Sequence, residues 1–227
     1  SLDATAVVIY NTTAAIGGIT AVDSDVDLTF GSAAIYNSAG EGVLLYENTG
    51  NFTAGVLTVY NSSSLGLDAL NSGANTGLGD ITIGVADIRN TTGAGLNVQD
   101  IGSLTINGGS IYNTTTYGVV ATNADLAVTD LSIDTTAAPG SIGVGAYADD
   151  GGTHSVSVYN SVITASEDGV EVGSDTGSTV NLQVVDNTIT NGVTYNSVYL
   201  YGDATINIGA NPATLDGEGY GAEPYSA

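Results

Sequence analysis

Residues 103–133, SLTINGGSIYNTTTYGVVATNADLAVTDLSI, contain the clearest repeat in this chain. It opens on an alternating apolar pair, Leu104 and Ile106, continues to a second apolar position at Ile111, and then reaches a glycine followed by valine at Gly118. The same order begins again before the stretch ends. Alternation with period two predicts short strands that each bury one face.

Three series of residues repeat this order along the chain. The first consists of alternating pairs whose first members lie 22 to 30 residues apart: Leu28/Phe30, Leu57/Val59, Ile81/Ile83, Leu104/Ile106, Leu126/Val128, Val156/Val158, Leu182/Val184 and Ile206/Ile208. The second lies seven residues beyond the first member of its unit: Ile35, Ile88, Ile111, Ile133, Ile163 and Ile189. The third joins glycine to an apolar residue, with serine in the last unit: Gly18-Ile19, Gly42-Val43, Gly66-Leu67, Gly95-Leu96, Gly118-Val119, Gly143-Val144, Gly169-Val170 and Ser197-Val198.

A repeated unit of about 25 residues cannot bury its apolar face alone, whereas stacked units bury a continuous core. Three strands in a unit of this length form a triangular coil. The sequence therefore predicts an all-β fold, a single-stranded parallel β-helix (solenoid) of about eight three-strand coils that spans residues 1–210. Coils that pair at roughly 4.8 Å would form a rod about 40 Å long.

The two ends of the chain suggest how such rods associate. Residues 211–227, which include Tyr220 and Tyr225, fit no coil and are expected to form an extended tail that caps the rod or joins a neighbouring subunit. The other end enters a strand directly, without a capping helix. These features favour head-to-tail assembly of identical chains, and such a contact gives a filament when it does not close into a ring.

The unit quoted above resembles the coil of the right-handed parallel β-helix proteins, the pectate-lyase-like superfamily. In that superfamily a strand, an asparagine-bearing turn and a glycine–apolar strand recur from coil to coil. The resemblance covers about residues 5–210 and, in character, is closest to surface adhesins and filament proteins. It implies the architecture and not the activity, because the fold also carries lyases, hydrolases and phage tailspikes.

Composition excludes several classes of function. The chain has 24 acidic residues against a single Lys or Arg, for a formal net charge of −23, which excludes a nucleic-acid-binding surface and disfavours an anionic membrane. No apolar run approaches the roughly 20 residues of a membrane span. The absence of cysteine excludes a disulfide scaffold and a thiolate metal site. We expect an extracellular or cell-surface protein, present here in its mature form.

The most conspicuous motif is an apolar residue followed by Tyr and Asn. Its tyrosines are Tyr10, Tyr36, Tyr60, Tyr112 and Tyr159. The asparagines suit a turn with left-handed backbone, and their amides could form a ladder between coils. A row of outward tyrosines is a natural contact surface for sugar rings or for a neighbouring subunit.

Two further sets of residues are candidate sites. Asp23, Asp25 and Asp27 alternate, so a strand would place the three carboxylates on one face, where Ca²⁺ could bridge them or water could solvate them. Glycosylation sequons occur at Asn11, Asn51, Asn61, Asn90 and Asn113. Apart from this possible Ca²⁺, we expect no cofactor.

The sequence contains no clear combination of residues for a catalytic site. Polysaccharide lyases of the resembling fold use Arg or Lys as the base, but the only Arg here, Arg89, stands where equivalent turns have tyrosine. Pectin hydrolases of that fold combine clustered Asp with His, Arg and Lys. The single histidine, His154, lies in a glycine-rich stretch next to Asp149 and Asp150. A structural reading suits both residues better than a catalytic one.

These observations favour a structural, non-enzymatic extracellular protein, a self-assembling subunit of a cell-surface filament or coat. The alternative is an adhesin module that binds surface glycans through its tyrosines. A polysaccharide lyase or hydrolase is a third hypothesis, and it needs a pair of carboxylates in a cleft.

Overall fold

The computed structural model describes residues 1–13, 17–71, 79–175, 177–191, 196–202, 205–209, 214–215 and 220–222, with side chains described up to residue 202 except that of residue 191. The described residues form strands in two sheets and contain no helix. The first sheet consists of β1 (Leu2–Tyr10), β3 (Leu28–Tyr36), β5 (Phe52–Tyr60), β7 (Ile81–Thr91), β9 (Ser103–Ile106), β10 (Gly109–Thr114), β12 (Asp125–Thr129), β13 (Leu131–Asp134), β15 (Thr153–Tyr159), β16 (Val162–Ala165), β18 (Thr179–Val185), β19 (Thr188–Asn191), β21 (Thr205–Gly209) and β22 (Thr214–Leu215). The second consists of β2 (Ile19–Val22), β4 (Val43–Tyr46), β6 (Leu67–Leu70), β8 (Leu96–Gln99), β11 (Tyr117–Thr122), β14 (Ile142–Ala148), β17 (Val170–Ser174), β20 (Val198–Gly202) and β23 (Tyr220–Ala222).

Each strand pairs in parallel with the equivalent strand of the next coil, as in the pairs β3–β5 and β4–β6. The chain is a parallel β-solenoid of about seven turns with about 26 residues per turn. This confirms the predicted fold class, close to the expected eight coils of about 25 residues. No helix in the described part of the chain is long and apolar enough to cross a membrane.

The first sheet forks at β7, which pairs with both β9 and β10. Before the fork, each coil has one long strand, with a glycine in its middle in β3, β5 and β7 and Thr5 at that position in β1. A Cβ built on Gly55 would lie only 2.6 Å from the carbonyl oxygen of Gly31. After the fork, left-handed residues such as Gly109 (φ 115°) and Asp130 (φ 53°) split the strand in two. The predicted three-strand coil is therefore found only after β7.

Inward side chains of like shape stack from coil to coil to form the core. One stack belongs to the first half of the first sheet: Leu28, Phe52, Ile81, Leu104, Leu126, Val156 and Leu182. A second contains the isoleucine series: Ile35, Val59, Ile88, Ile111, Ile133, Ile163 and Ile189. Val59 thus belongs to the second series, and the assignment of Leu57 and Val59 to the first series is wrong.

The C-terminal residues continue the solenoid where they are described. Thr214 and Leu215 pair with Thr188 and Ile189, and Tyr220 pairs with Val198. The expectation that this stretch fits no coil is wrong for these two short strands. The side chain of Tyr220 and the whole of Tyr225 lie outside the described residues, so the joining arm stays a prediction.

Candidate functional site

The asparagines of the Tyr-Asn motif form a ladder along one corner of the rod. Their backbones are left-handed, with φ between 53° and 58°: Asn11, Asn37, Asn61, Asn90 and Asn113. From Asn37 onward, each Nδ2 donates to the Oδ1 of the asparagine one coil earlier, at 2.9 Å in three pairs and 2.5 Å in the last. Asparagine tolerates this conformation better than most residues with a side chain, and its amide adds the ladder bond. The turn predicted from the motif is confirmed.

The tyrosines before these asparagines form a column. The ring of Tyr10 stacks on Tyr36 with centroids 4.9 Å apart and 13° between planes, and Tyr36 meets Tyr60 edge-on at 5.4 Å. The next member is Arg89, whose guanidinium carbon lies 4.9 Å from the centroid of Tyr60 and 4.8 Å from that of Tyr112. Arg89 thus takes a tyrosine position, as the sequence predicted.

A carboxylate fixes Arg89 in this column. Its Nε donates to Asp87 Oδ1 at 2.7 Å and its Nη1 donates to the hydroxyl of Tyr112 at 2.9 Å. The hydroxyl of Tyr60 donates to the other oxygen of Asp87, and this bond, with some burial, raises the pKa of Tyr60 from 10.0 to about 12. The bond to Asp87 also raises the pKa of Arg89. Arg89, the only Lys or Arg residue in the sequence, is therefore engaged in contacts between coils.

We use the name aromatic strip for the outward side chains that surround this column. In register, its three rows are Ala6, Ser32, Val56 and Val85; Val8, Ala34, Thr58, Asp87 and Ser110; and Tyr10, Tyr36, Tyr60, Arg89 and Tyr112. Tyr10 is 64% exposed, and Val8, Val56, Val85 and Tyr112 are exposed as well. Its only charges are Asp87 and Arg89, which neutralise each other. The strip is thus a patch without net charge on a strongly acidic protein.

Tyr159 does not belong to this column, contrary to the sequence prediction. It pairs in register with Thr129 and Val185, in the other branch of the fork, and its hydroxyl donates to Gln183. The following Asn160 is left-handed (φ 46°) and marks the corner that the fork created. The Tyr-Asn motif therefore signals a left-handed corner, and after β7 there is more than one such corner in a coil.

The three alternating aspartates do not lie on a strand. β2 ends at Val22 and β3 begins at Leu28, while Asp23 is left-handed with φ 48°. The expected alternation of Asp23, Asp25 and Asp27 on one face is therefore wrong. Among the described residues, no three His, Asp or Glu side chains are placed to hold a metal ion. Binding of Ca²⁺ stays a prediction without a defined site.

The five sequon asparagines, Asn11, Asn51, Asn61, Asn90 and Asn113, are all exposed. The amide nitrogens of Asn61, Asn90 and Asn113 already donate one hydrogen bond each in the ladder. Asn51 lies elsewhere, and its Oδ1 accepts from the amide of Asp80 at 2.8 Å. Glycosylation at these positions stays a prediction.

His154 lies at the start of β15 and contacts one carboxylate. Its Nε2 is 3.0 Å from Asp150 Oδ1. Burial acts in the opposite direction, but the bonds from His154 and from the amide of Gly152 lower the pKa of Asp150. This pair contains no nucleophile and restrains the turn around Gly151.

A second aromatic group lies on the outer face of the second sheet, and the sequence reasoning missed it. We call it the tyrosine–glutamate cluster: Tyr117, Tyr147, Glu171, Tyr199 and Tyr201. The ring centroid of Tyr147 is 6.3 Å from those of Tyr117 and Tyr201, and the rings of Tyr199 and Tyr201 stack at 5.4 Å. The hydroxyl of Tyr147 donates to Glu171 Oε1 at 2.9 Å. Alignment of the third repeat series would have placed Tyr147, Glu171, Tyr199 and Tyr201 at outward positions of neighbouring coils. It would not have placed Tyr117 there, because Tyr117 pairs in register with the buried Ile142.

Two glycines without a Cβ allow rings of this cluster to pack directly against the backbone. A Cβ built on Gly145 would lie 2.9 Å from Tyr117 Cε1, and one on Gly173 would lie 2.7 Å from Tyr201 Cζ. Burial raises the pKa of Glu171, although its bond from Tyr147 acts the other way. Burial also raises the pKa of Tyr147 far above its ordinary value. The cluster holds a carboxylate among aromatic rings at the surface of the rod.

Comparison with known proteins provides no relative from which a role could be transferred. No protein-family model matches the chain, no curated protein matches it significantly, and neither does any solved structure.

Proposed function

We propose that this chain is a structural protein of the cell surface, a rod that self-associates into a filament or coat. The observation that carries the proposal is the aromatic strip. Rods with a net charge of −23 repel one another, so close contact is least costly where the surface is uncharged. On the strip, exposed Val8, Val56 and Val85 lie beside the tyrosine column and could be buried against a second rod.

The contacts of the reactive residues support a structural role. Arg89 is bound by Asp87, Tyr60 and Tyr112, and the ladder asparagines bond to one another. Such contacts fix the relative position of successive coils. Kinship with the pectate-lyase-like superfamily rests on the coil pattern and belongs to this proposal, as do end-to-end stacking of the rods and an extracellular location.

Glycan binding is the weaker candidate for the tyrosine column. A sugar ring stacks on the face of an aromatic ring, but the faces of Tyr10 and Tyr36 are turned toward each other. The face that each of these two rings turns toward the other is closed to a sugar. An assembly contact can use the ring edges together with the neighbouring valines.

Sedimentation velocity at increasing salt tests the proposal. Val56→Asp places a charge in the aromatic strip. Thr53→Asp is the control, because it places the same charge on the same strand, β5, at an outward position beyond the strip. We expect the wild type and Thr53→Asp to associate as salt screens the rods, and Val56→Asp to remain monomeric. Equal association of the two variants would contradict a role for the strip. Thermal melting of both variants confirms that they are folded.

A further inference from the structure

The column around Arg89 demonstrates how this protein binds a cation. The guanidinium lies 4.9 Å and 4.8 Å from the centroids of Tyr60 and Tyr112, which belong to the coils on either side. One carboxylate, Asp87, accepts its Nε at 2.7 Å. Two aromatic rings and one carboxylate are a recognised environment for an organic cation, because the ring quadrupole and the negative charge act together.

The tyrosine–glutamate cluster contains the same groups without a cationic side chain. Glu171 is hydrogen-bonded by Tyr147 and Tyr201, and these two rings lie 6.3 Å apart. The protein has a single Lys or Arg in all 227 residues, and that residue, Arg89, is bound to Asp87. The one histidine is paired with Asp150. No cationic side chain of this protein balances the partly buried charge of Glu171.

We propose that the tyrosine–glutamate cluster binds an alkylammonium group, with Glu171 as the counter-charge and the rings of Tyr147, Tyr199 and Tyr201 as cation–π partners. The contacts of Tyr117 and Tyr201 with the backbone at Gly145 and Gly173 hold the rings in place before the ligand arrives.

The chemistry of the cluster distinguishes this ligand from a metal ion. Hard cations need several oxygen ligands around one point, and the described residues contain no group of three carboxylates or histidines placed in that way. An alkylammonium needs only one counter-charge and aromatic faces. No lysine of a second copy can provide the group, because the chain has none. The ammonium group comes from a different molecule, either a free amine or a lysine of another protein.

Calorimetric titration of the full chain tests the inference with matched probes. Choline is compared with 3,3-dimethylbutan-1-ol, which has the same shape and no charge. Butylammonium and Nα-acetyl-lysine methylamide then separate a free amine from a lysine in a peptide setting. We expect saturable binding of the cations only. Tighter binding of butylammonium would indicate a free amine as the natural ligand, and tighter binding of Nα-acetyl-lysine methylamide would indicate a lysine of another protein. Equal binding of choline and its neutral analogue to the wild-type protein would by itself overturn the inference.

Two variants localise the binding. Glu171→Gln removes the counter-charge and should weaken choline binding roughly tenfold or more. Asp134→Asn removes the same charge from an exposed position on the first sheet and should leave the affinity unchanged. Equal weakening by both variants, or no saturable binding of any amine to the wild type, would refute the site. This inference is independent of the proposed self-association, which is measured by sedimentation.

Discussion

Gly95 and Ile111 are packed so closely that the glycine position has no room for a side chain. A Cβ built on Gly95 would lie 2.5 Å from Ile111 Cγ2 and 2.6 Å from the carbonyl oxygen of Gly118. The same contact joins the glycine of each coil to the branched residue of the next coil: Gly18–Ile35, Gly42–Val59, Gly66–Ile88, Gly118–Ile133, Gly143–Ile163 and Gly169–Ile189. Two of the three repeat series are thus two halves of one packing contact.

Replacing Gly95 by alanine should destabilise the rod by about 1–3 kcal/mol, because the new methyl group overlaps both a buried side chain and a backbone oxygen. The midpoint of urea unfolding is the appropriate measurement. Gly93→Ala is the matched control, since the nearest atom to its Cβ would be Cγ of the half-buried Leu65 at 3.2 Å, and the nearest backbone atom would lie at 3.8 Å. We expect a change below about 1 kcal/mol for the control. Similar losses in both variants would contradict the packing account.

The asparagine ladder should contribute measurably to stability. Asn61 donates to Asn37 and accepts from Asn90, both at 2.9 Å, with its backbone at φ 58°. Asn61→Gly keeps the left-handed backbone and removes the ladder bonds, for an expected loss of about 1 kcal/mol. Asn61→Ala also strains the backbone and should lose about 1 kcal/mol more. Urea unfolding of the two variants separates the effects, and an unchanged midpoint in Asn61→Gly would show that the ladder does not stabilise the rod.

The pKa of Tyr60 should depend on Asp87. The hydrogen bond to this carboxylate favours the neutral phenol and raises the pKa of Tyr60 to about 12. Asp87→Asn removes the negative charge and should return the pKa toward 10.0, which NMR titration of ¹³C-labelled tyrosine would detect. Asp134→Asn, on another coil, should leave the pKa of Tyr60 unchanged. A value that stays near 12 in Asp87→Asn would mean that the Tyr60–Asp87 bond does not form in solution.

The stability of the rod should decrease as pH rises from about 4.5 toward neutrality. Burial raises the pKa values of Glu171, Asp168 and Asp68 in the folded state above those of the unfolded chain. The folded state therefore binds protons more readily, so this stabilisation is complete below the unfolded pKa and is lost as pH rises through the folded pKa.

Urea unfolding in high salt, which suppresses general repulsion, measures this dependence at a protein concentration too low for the rods to associate. Glu171→Gln removes one of the three groups and should make the dependence of the midpoint on pH shallower. A wild-type midpoint that rises between about pH 5 and pH 8 would reverse the sign and contradict the burial of these carboxylates.

The sequence predicts the solenoid well because its inward positions repeat. The glycine and isoleucine series are each required by the same contact, as Gly95 and Ile111 demonstrate. A substitution in one series therefore disturbs the packing of the other. The left-handed asparagines are equally predictable, because few residues other than Asn, Asp and Gly accept φ near 55°.

Outward positions are less predictable, because they depend on register between coils. Tyr159 follows the same local motif as Tyr112, yet the fork after β7 places it in another row. Asp23, Asp25 and Asp27 alternate like a strand, but the left-handed backbone at Asp23 places them in a corner. The tyrosine–glutamate cluster combines residues of four strands that no local motif connects.

Negative-stain electron microscopy of the purified chain would reveal self-association of the rods. The protein is imaged from low to high salt, with and without Ca²⁺, at one protein concentration. We expect isolated rods at low salt, where the net charge of −23 keeps them apart, and filaments or sheets once that charge is screened. Isolated rods under every condition would contradict a structural protein that acts by self-association.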